Sequence, residues 1–200
     1  MEKPILFSTE MVRAILDGRK TQTRRVIDRD IVNGLDIDTD GSAYAFIDQA
    51  TGDSYDPEKI CRYQPGDILW VRETWYYESH MEDLTAGEPD LVSGNYSHRY
   101  IYKADSPDYP VNVGVGRQGW RPSIHMPREA ARLFLKVTDV WVERLQEISN
   151  TDIRKEGVAD FGCVTHHLNM LTAWDNIYSA KGYCWESNPW VWVIEFERMG

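Results

Sequence analysis

The stretch Asp17-Gly18-Arg19-Lys20-Thr21-Gln22-Thr23-Arg24-Arg25 joins a predicted helix to a predicted strand and concentrates cations in an acidic chain. Four of the seven residues from Arg19 to Arg25 are cationic and none is acidic, although the chain has a formal charge of −10. Two threonine hydroxyls are interleaved with the cations. This composition suits the binding of a phosphate or a polar base edge, and it also places a lysine near a threonine nucleophile. The alternative is an exposed edge strand whose cationic side chains prevent pairing with another sheet.

The residues around this stretch predict a strand, a helix and a second strand. Pro4 to Phe7 is typical of a short strand, and Ser8 or Thr9 suits a helix N-cap. The helix is predicted from an apolar stripe at helical spacing, formed by Met11, Val12, Ile15 and Leu16. Gly18 is a typical helix stop, and Thr21 to Ile27 is predicted as the next strand.

The length of the chain predicts a single domain over residues 1–200, with insertions at about 28–63 and 76–118. The first insertion is acidic and polar, and its turn signals predict a peripheral hairpin. The second is rich in Gly, Ser, Asp, Pro and Tyr, and it predicts loops with one short strand from Tyr100 to Ala104.

Composition also restricts the compartment and the partners. No stretch approaches the roughly 20 apolar residues of a membrane span, and the N-terminus lacks the apolar core of a signal peptide. The three cysteines, Cys61, Cys163 and Cys184, are odd in number and widely separated, which favours a reducing compartment. We therefore expect a cytoplasmic protein with no membrane partner. Long nucleic acid usually requires a basic protein, so the acidic chain favours a small nucleoside or a short single strand of RNA or DNA.

The remaining strands are predicted from turn signals and apolar runs. Pro65-Gly66-Asp67 is a turn that precedes a buried strand from Ile68 to Val71. Leu133 to Leu145 is a long strand. The last strand, Trp190 to Phe196, is apolar on both faces, so we expect it at the centre of a sheet.

Two further helices complete a mixed α+β fold. Ser149 and Asp152 form a capping box for a helix that ends at Gly157. A second helix is expected from about Thr165 to Ala180, and its predicted buried side contains Leu168, Leu171, Trp174 and Ile177. The whole pattern predicts a small mixed β-barrel with flanking helices.

At this point the chain resembles the ASCH domains, members of the PUA-like β-barrel superfamily. The resemblance rests on the run from Ile15 to Arg24, the Pro65-Gly66-Asp67 turn, Glu156-Gly157 and the terminal strand from Trp192 to Glu197. It implies a PUA-like barrel for the predicted core. The two insertions and the segment from Trp120 to Arg128 are similar to those of longer ASCH proteins of phages and prophages.

Within that family, the polar residues are similar to those of the small bacterial amidohydrolases that act on N(4)-acetylcytidine. The resemblance implies that Thr23 is the nucleophile, Lys20 its activating base and Glu156 a carboxylate that handles protons. Arg25 matches an arginine of those enzymes. The implied reaction is hydrolysis of an acylated or otherwise modified pyrimidine nucleoside.

The implied chemistry sets two physical conditions on this chain. A lysine can serve as a base only if burial or neighbouring cations lower its pKa, and Arg19, Arg24 and Arg25 are candidates for that influence. Residues three apart in a strand face opposite sides, so Lys20 and Thr23 converge only if Lys20 lies in the turn after Gly18.

Several other polar and aromatic residues are candidates for substrate binding. Trp75 and Trp120 are suited to stacking a base, although tryptophan more commonly packs in a core. Arg72 and Glu73 leave a predicted strand, where a polar group must be paired or line a pocket. The predicted substrate-binding set is Arg24, Arg25, Arg72, Glu73, Trp75, Trp120, Arg121, His125 and Arg128.

Neither a metal nor a cofactor is expected. Asp36 to Gly41 matches the opening of a calcium loop, but its twelfth position is Ile47 where a bidentate glutamate is needed. His166 and His167 are adjacent and would diverge by about 100° on a helix, and Cys163 has no Cys-x-x-Cys partner. Two alternatives to an enzyme stay open: a non-catalytic module that binds RNA or single-stranded DNA, and a phage-encoded protein that binds a host partner through its insertions. The sequence leaves the oligomeric state open.

Overall fold

The terminal strand, Trp190–Arg198 (β10), lies between two antiparallel neighbours in a computed structural model of the chain. Phe134–Arg144 (β9) pairs along one edge and Gln22–Val26 (β2) along the other. All five residues from Trp190 to Ile194 are buried. The prediction of a central strand that is apolar on both faces is therefore confirmed.

The structure describes residues 1–33, 35–37, 43–48, 50–79, 98–108, 119–158 and 165–200. The other strands are Glu2–Leu6 (β1), Leu35–Ile37 (β3), Ala43–Ile47 (β4), Ser54–Tyr55 (β5), Ile68–Arg72 (β6), Trp75–Ser79 (β7) and His98–Tyr102 (β8). The α-helices are Thr9–Leu16 (α1), Arg29–Val32 (α2), Pro57–Ile60 (α3), Asn150–Lys155 (α4) and Thr165–Tyr178 (α5). Short 3-10 helices are Ser123–His125, Arg128–Ala130, Leu145–Glu147, Ser179–Lys181 and Trp185–Ser187.

The strands form three sheets in a mixed α+β fold. The largest has the order β1-β6-β9-β10-β2, the second is β3-β4-β5, and β7 pairs with β8. No closed barrel is found among the residues that the structure describes. The strand β7 was not predicted, since its partner β8 is distant in sequence. The predicted hairpin of the first insertion contains three strands.

The chain divides into two compact units. The first comprises Met1–Lys3, Ala14–Leu69 and Leu133–Gly200, and its core includes Leu145, Ile148, Ile153, Met170, Trp174, Val191 and Val193. The second comprises Pro4–Arg13 and Trp70–Arg132, with a small core of Trp75, Met126 and Ala130. The single domain with two insertions stays a prediction. No helix in the described ranges has the length and apolar character of a membrane span.

The predicted N-cap of α4 is confirmed at Ser149, although the Asp152 carboxylate accepts a hydrogen bond from Ser149 Oγ at 2.6 Å and not from the N-cap backbone N–H of a full capping box. Ser149 Oγ accepts a hydrogen bond from the backbone N–H of Asp152 at 3.1 Å. This bond satisfies one of the N–H groups that the first turn of a helix leaves unpaired. The helix ends at Lys155, and Gly157 then adopts a left-handed φ of +78°. Glu156 is thereby held at a well-defined position between the helix and the glycine.

The predicted buried face of α5 is partly wrong. Trp174 is buried together with Met170, whereas Leu168 is 60% exposed and Ile177 is 40% exposed. Residues spaced by three drift by about 60° per step around a helix of 3.6 residues per turn. Leu168 is therefore about 160° from Met170 and about 120° from Trp174 around the helix, on the side opposite the buried pair. Ile177 lies within about 60° of both, so the helical period does not account for its exposure.

Asp67 is the anchor of the turn that precedes β6. Its carboxylate accepts hydrogen bonds from Lys3 Nζ at 2.6 Å, from the Met1 amino group at 2.9 Å and from the Gln64 N–H at 2.8 Å. Burial of the carboxylate raises its pKa, but these three donors outweigh burial and hold the pKa of Asp67 at about 2. The charged form is therefore favoured in the folded protein.

We predict that this anchor makes stability fall at acidic pH. A carboxylate whose pKa is depressed by folding contributes stability above its unfolded pKa and loses it as the pH falls through the folded value. The stability difference between wild type and Asp67→Asn should be constant above about pH 5 and shrink between pH 3.8 and about 2. Urea unfolding measured over this pH range tests it, and a difference that does not change with pH would contradict the assignment.

Candidate functional site

The backbone around Lys20 is fixed by the end of α1. Gly18 adopts a φ of +73°, and the N–H groups of Arg19 and Lys20 both donate to the carbonyl of Ala14, at 2.8 and 3.0 Å. Lys20 then forms an isolated antiparallel bridge with Glu156, ahead of the start of β2 at Gln22. Lys20 therefore lies in the turn between Gly18 and β2, which is the position that convergence with Thr23 requires.

Lys20, Arg24, Glu156 and Glu143 form a buried ion cluster in the first unit. Lys20 Nζ donates to Glu156 Oε2 at 2.7 Å, and Arg24 Nη1 donates to Glu156 Oε1 at 2.9 Å. Arg24 Nε also donates to Glu143 Oε1 at 2.7 Å. Lys20 and Arg24 are each 2% exposed, and Glu156 is 8% exposed. Two cations and two carboxylates balance, which limits the cost of removing these charges from water.

The environment of Lys20 lowers the pKa of its amine. Burial lowers the pKa of its amine, and the nearby guanidinium groups of Arg25 and Arg24 lower it further, while the Glu156 carboxylate opposes both. Two of the three cations predicted to exert this influence therefore do so. The third, Arg19, instead contacts Asp17 Oδ2 at 2.8 Å and the carbonyl of Gly157 at 3.0 Å. A buried amine beside a carboxylate is suited to proton transfer.

Thr23 lies on β2, opposite Ile194 of β10, and is 1% exposed. Because successive side chains alternate along a strand, Thr23 and Arg25 face one side while Gln22 and Arg24 face the other. The amine of Lys20 also donates to the backbone carbonyl of Gln22 at 2.7 Å. Glu156 thus contacts both Lys20 and Arg24 directly. Thr23 is the residue that follows the Gln22 carbonyl to which the Lys20 amine donates.

Gln22 is a residue of this site that sequence reasoning missed. Its side chain is fully buried, at 0% exposure, yet neither Nε2 nor Oε1 has a hydrogen-bond partner among the described residues. An unpaired buried carboxamide costs about 1–3 kcal/mol, so such a group is uncommon unless it serves a purpose. Nothing in the sequence signalled it, because four of the five residues of β2 are polar and Gln22 does not differ from its neighbours in this respect.

The other predicted binding residues lie in the second unit, where Arg132 organises a second ion cluster. Arg132 Nε and Nη2 donate to Glu73 Oε1 and Oε2 at 2.9 and 3.1 Å, and the same guanidinium pairs with Asp105. Its guanidinium carbon lies 4.0 Å from the centre of the Tyr102 ring. Burial raises the pKa of Glu73, and Arg132 opposes that shift. Arg132 was not predicted, because nothing in the local sequence links it to Glu73.

The aromatic and loop candidates are distributed around Trp75. Trp75 is 4% exposed, with the Tyr100 ring at 5.8 Å and the Arg121 guanidinium at 5.2 Å from its ring centre. This environment favours the packing interpretation of Trp75. The remaining predicted candidates lie as follows: Arg72 Nη2 donates to the Ile124 carbonyl, Trp120 is half-buried, and His125 and Arg128 are exposed.

The part of the chain that the structure describes holds no group of three or more His, Cys, Asp or Glu side chains placed to bind a metal. Cys163 and residues 38–42 of the calcium-like segment lie outside the described ranges. Comparison of the chain with protein-family models, with curated proteins and with solved structures found no match.

Proposed function

We propose that the chain is an ASCH-type base-binding protein with a PUA-like barrel that hydrolyses an acylated or modified pyrimidine nucleoside. The observation that carries the proposal is the fully buried Lys20 amine, whose pKa is lowered, held 2.7 Å from the Glu156 carboxylate. Such a pair exchanges a proton readily, which is the requirement for activating a weak nucleophile and for protonating a leaving group.

In the proposed reaction, Thr23 is the nucleophile. With Lys20 deprotonated, its amine takes the Thr23 hydroxyl proton as Oγ1 attacks the acyl carbon. The resulting ammonium passes this proton to the Glu156 carboxylate, which delivers it to the departing exocyclic nitrogen of the base. The products of this step are a threonine ester and the free nucleoside, and water then hydrolyses the ester to release the acid. The Lys20 amine bonds to the Gln22 carbonyl at 2.7 Å, and this carbonyl belongs to the peptide bond that joins Gln22 to Thr23. This proximity along the chain supports Thr23 as the residue that Lys20 activates.

The test is turnover of N(4)-acetylcytidine by the purified chain, followed by chromatographic detection of cytidine. We expect Thr23→Ala to abolish release and Lys20→Met to reduce kcat by about 10²–10⁴-fold. Thr138→Ala, which removes the same hydroxyl from an exposed position on β9, is the matched control and should retain activity. Absence of turnover across a panel of acylated nucleosides would overturn the proposal.

The alternative of a non-catalytic module for RNA or single-stranded DNA has less support. This alternative assigns nucleic-acid binding to Arg24 and Arg25, and the guanidinium of Arg24 is buried and bonds to two carboxylates. The alternative requires an affinity that decreases with salt and depends on Arg24 and Arg25.

A further inference from the structure

A cleft of about 420 Å³ lies beside the bridge between Lys20 and Glu156, and the proposed reaction does not use it. Its two walls are the loop that contributes Gly18, Arg19 and Thr21, and the segment that contributes Thr151, Arg154, Lys155 and Val158. The Thr21 N–H donates to the Lys155 carbonyl at 2.8 Å, which joins the walls at their base. The cleft is therefore formed by fixed backbone.

The lining of this cleft is positively charged in a strongly acidic protein. Of the seven described residues that line it, three are cations and none is acidic, whereas the chain has 32 acidic and 22 basic residues. Thr21 and Thr151 each add a hydroxyl to this lining. Cations and hydroxyls together provide the donors that a phosphate group requires.

The ion pairs around the cleft leave Arg19 and Lys155 able to bind a ligand. Arg19 pairs with Asp17, which is 57% exposed, and Lys155 pairs with Glu195, which is 29% exposed. Partly exposed pairs of this kind are weaker than buried ones, and an arginine has five N–H donors. A phosphate carrying up to two negative charges therefore competes well for these side chains.

The volume of the cleft indicates the size of the ligand that it can hold. About 420 Å³ is roughly fourteen times the volume that one water occupies in the liquid. The five heavy atoms of inorganic phosphate fill only a small part of that space. We propose that the cleft is a second ligand site, which binds a phosphomonoester of nucleotide size through Arg19, Arg154, Lys155 and the two threonine hydroxyls.

The experiment is calorimetric titration of the intact chain with cytidine 5′-monophosphate, cytidine and inorganic phosphate, at low and at high salt. The monophosphate should bind about tenfold or more tightly than cytidine, and high salt should weaken its binding. Arg154→Gln should weaken it by about tenfold, and Arg154→Lys should retain part of the affinity. Arg62→Gln, at an exposed arginine outside the cleft, is the control and should change nothing.

Three results would overturn the assignment: equal affinity for cytidine and its monophosphate, an unchanged affinity in Arg154→Gln, or inorganic phosphate binding as tightly as the monophosphate. The last result would identify a site for free phosphate. Binding is measured without turnover, so this test is independent of the proposed hydrolase. Phosphomonoester binding without hydrolysis refutes only the hydrolase, and hydrolysis without a phosphate preference refutes only this site.

Discussion

Replacement of Glu156 by glutamine should destabilise the protein by about 3–5 kcal/mol, because it leaves two buried cations with one carboxylate. Glu156 bonds to Lys20 at 2.7 Å and to Arg24 at 2.9 Å, and Arg24 then keeps only Glu143. Urea unfolding followed by the fluorescence of the eight tryptophans measures the loss. The same variant should lack hydrolase activity, since the carboxylate no longer handles a proton.

The pH dependence of this variant distinguishes a buried cation from a simple packing defect. Burial lowers the pKa of Lys20 and Glu156 opposes that shift, so the variant amine should lose its proton at a lower pH than in the wild type. The unfolded lysine keeps its proton to about pH 10.4, so the unfolded state binds more protons than the folded state. The stability of Glu156→Gln should therefore recover as the pH rises toward that value.

Glu197→Gln is the matched control for this prediction. Glu197 is 60% exposed and lies 3.5 Å from Lys136, so the same chemical change should cost no more than about 1 kcal/mol. Equal losses in Glu156→Gln and Glu197→Gln would show that the buried cluster does not contribute in the way its geometry indicates.

Replacement of Gly157 by alanine should destabilise the protein by about 2–5 kcal/mol and displace Lys20. Gly157 has a left-handed φ of +78°, which an alanine adopts only at a cost. A Cβ at this position would lie 2.7 Å from the Cβ of Ala14 and 2.8 Å from the Cβ of Lys20. Neither atom is the end of a flexible side chain, so the backbone that carries Lys20 must move. Unfolding free energy and turnover of the acylated nucleoside should both fall.

Gly66→Ala separates backbone strain from the clash. Gly66 has a similar φ of +87°, but a Cβ there would have no heavy atom within 4 Å. We expect a loss of about 1–2 kcal/mol from the left-handed conformation alone. If Gly157→Ala costs no more than Gly66→Ala, the close approach of Gly157 to Lys20 is not a constraint on the site.

Local patterns predicted the elements whose formation depends on neighbours in sequence. The Ser149–Asp152 cap, the turn at Gly18 and the central terminal strand were all predicted, because a cap, a left-handed glycine and a two-sided apolar run depend on a few consecutive residues. The predicted buried face of α5 was wrong for Leu168, since a spacing of three residues does not follow the helical period, and the period does not account for the exposure of Ile177.

The tertiary structure was needed for the contacts that define the chemistry. Glu156 bonds to Lys20, from which it is separated by 136 positions in the sequence, and Arg132 bonds to Glu73, from which it is separated by 59. Arg24, expected at the substrate, lies in the buried cluster instead. Local propensity carries no information on such long-range contacts, because they depend on how helices and strands pack once each has formed. The sequence therefore predicted which residue types form the candidate site. The ion pairs that set the proton affinity of Lys20 were determined by tertiary packing.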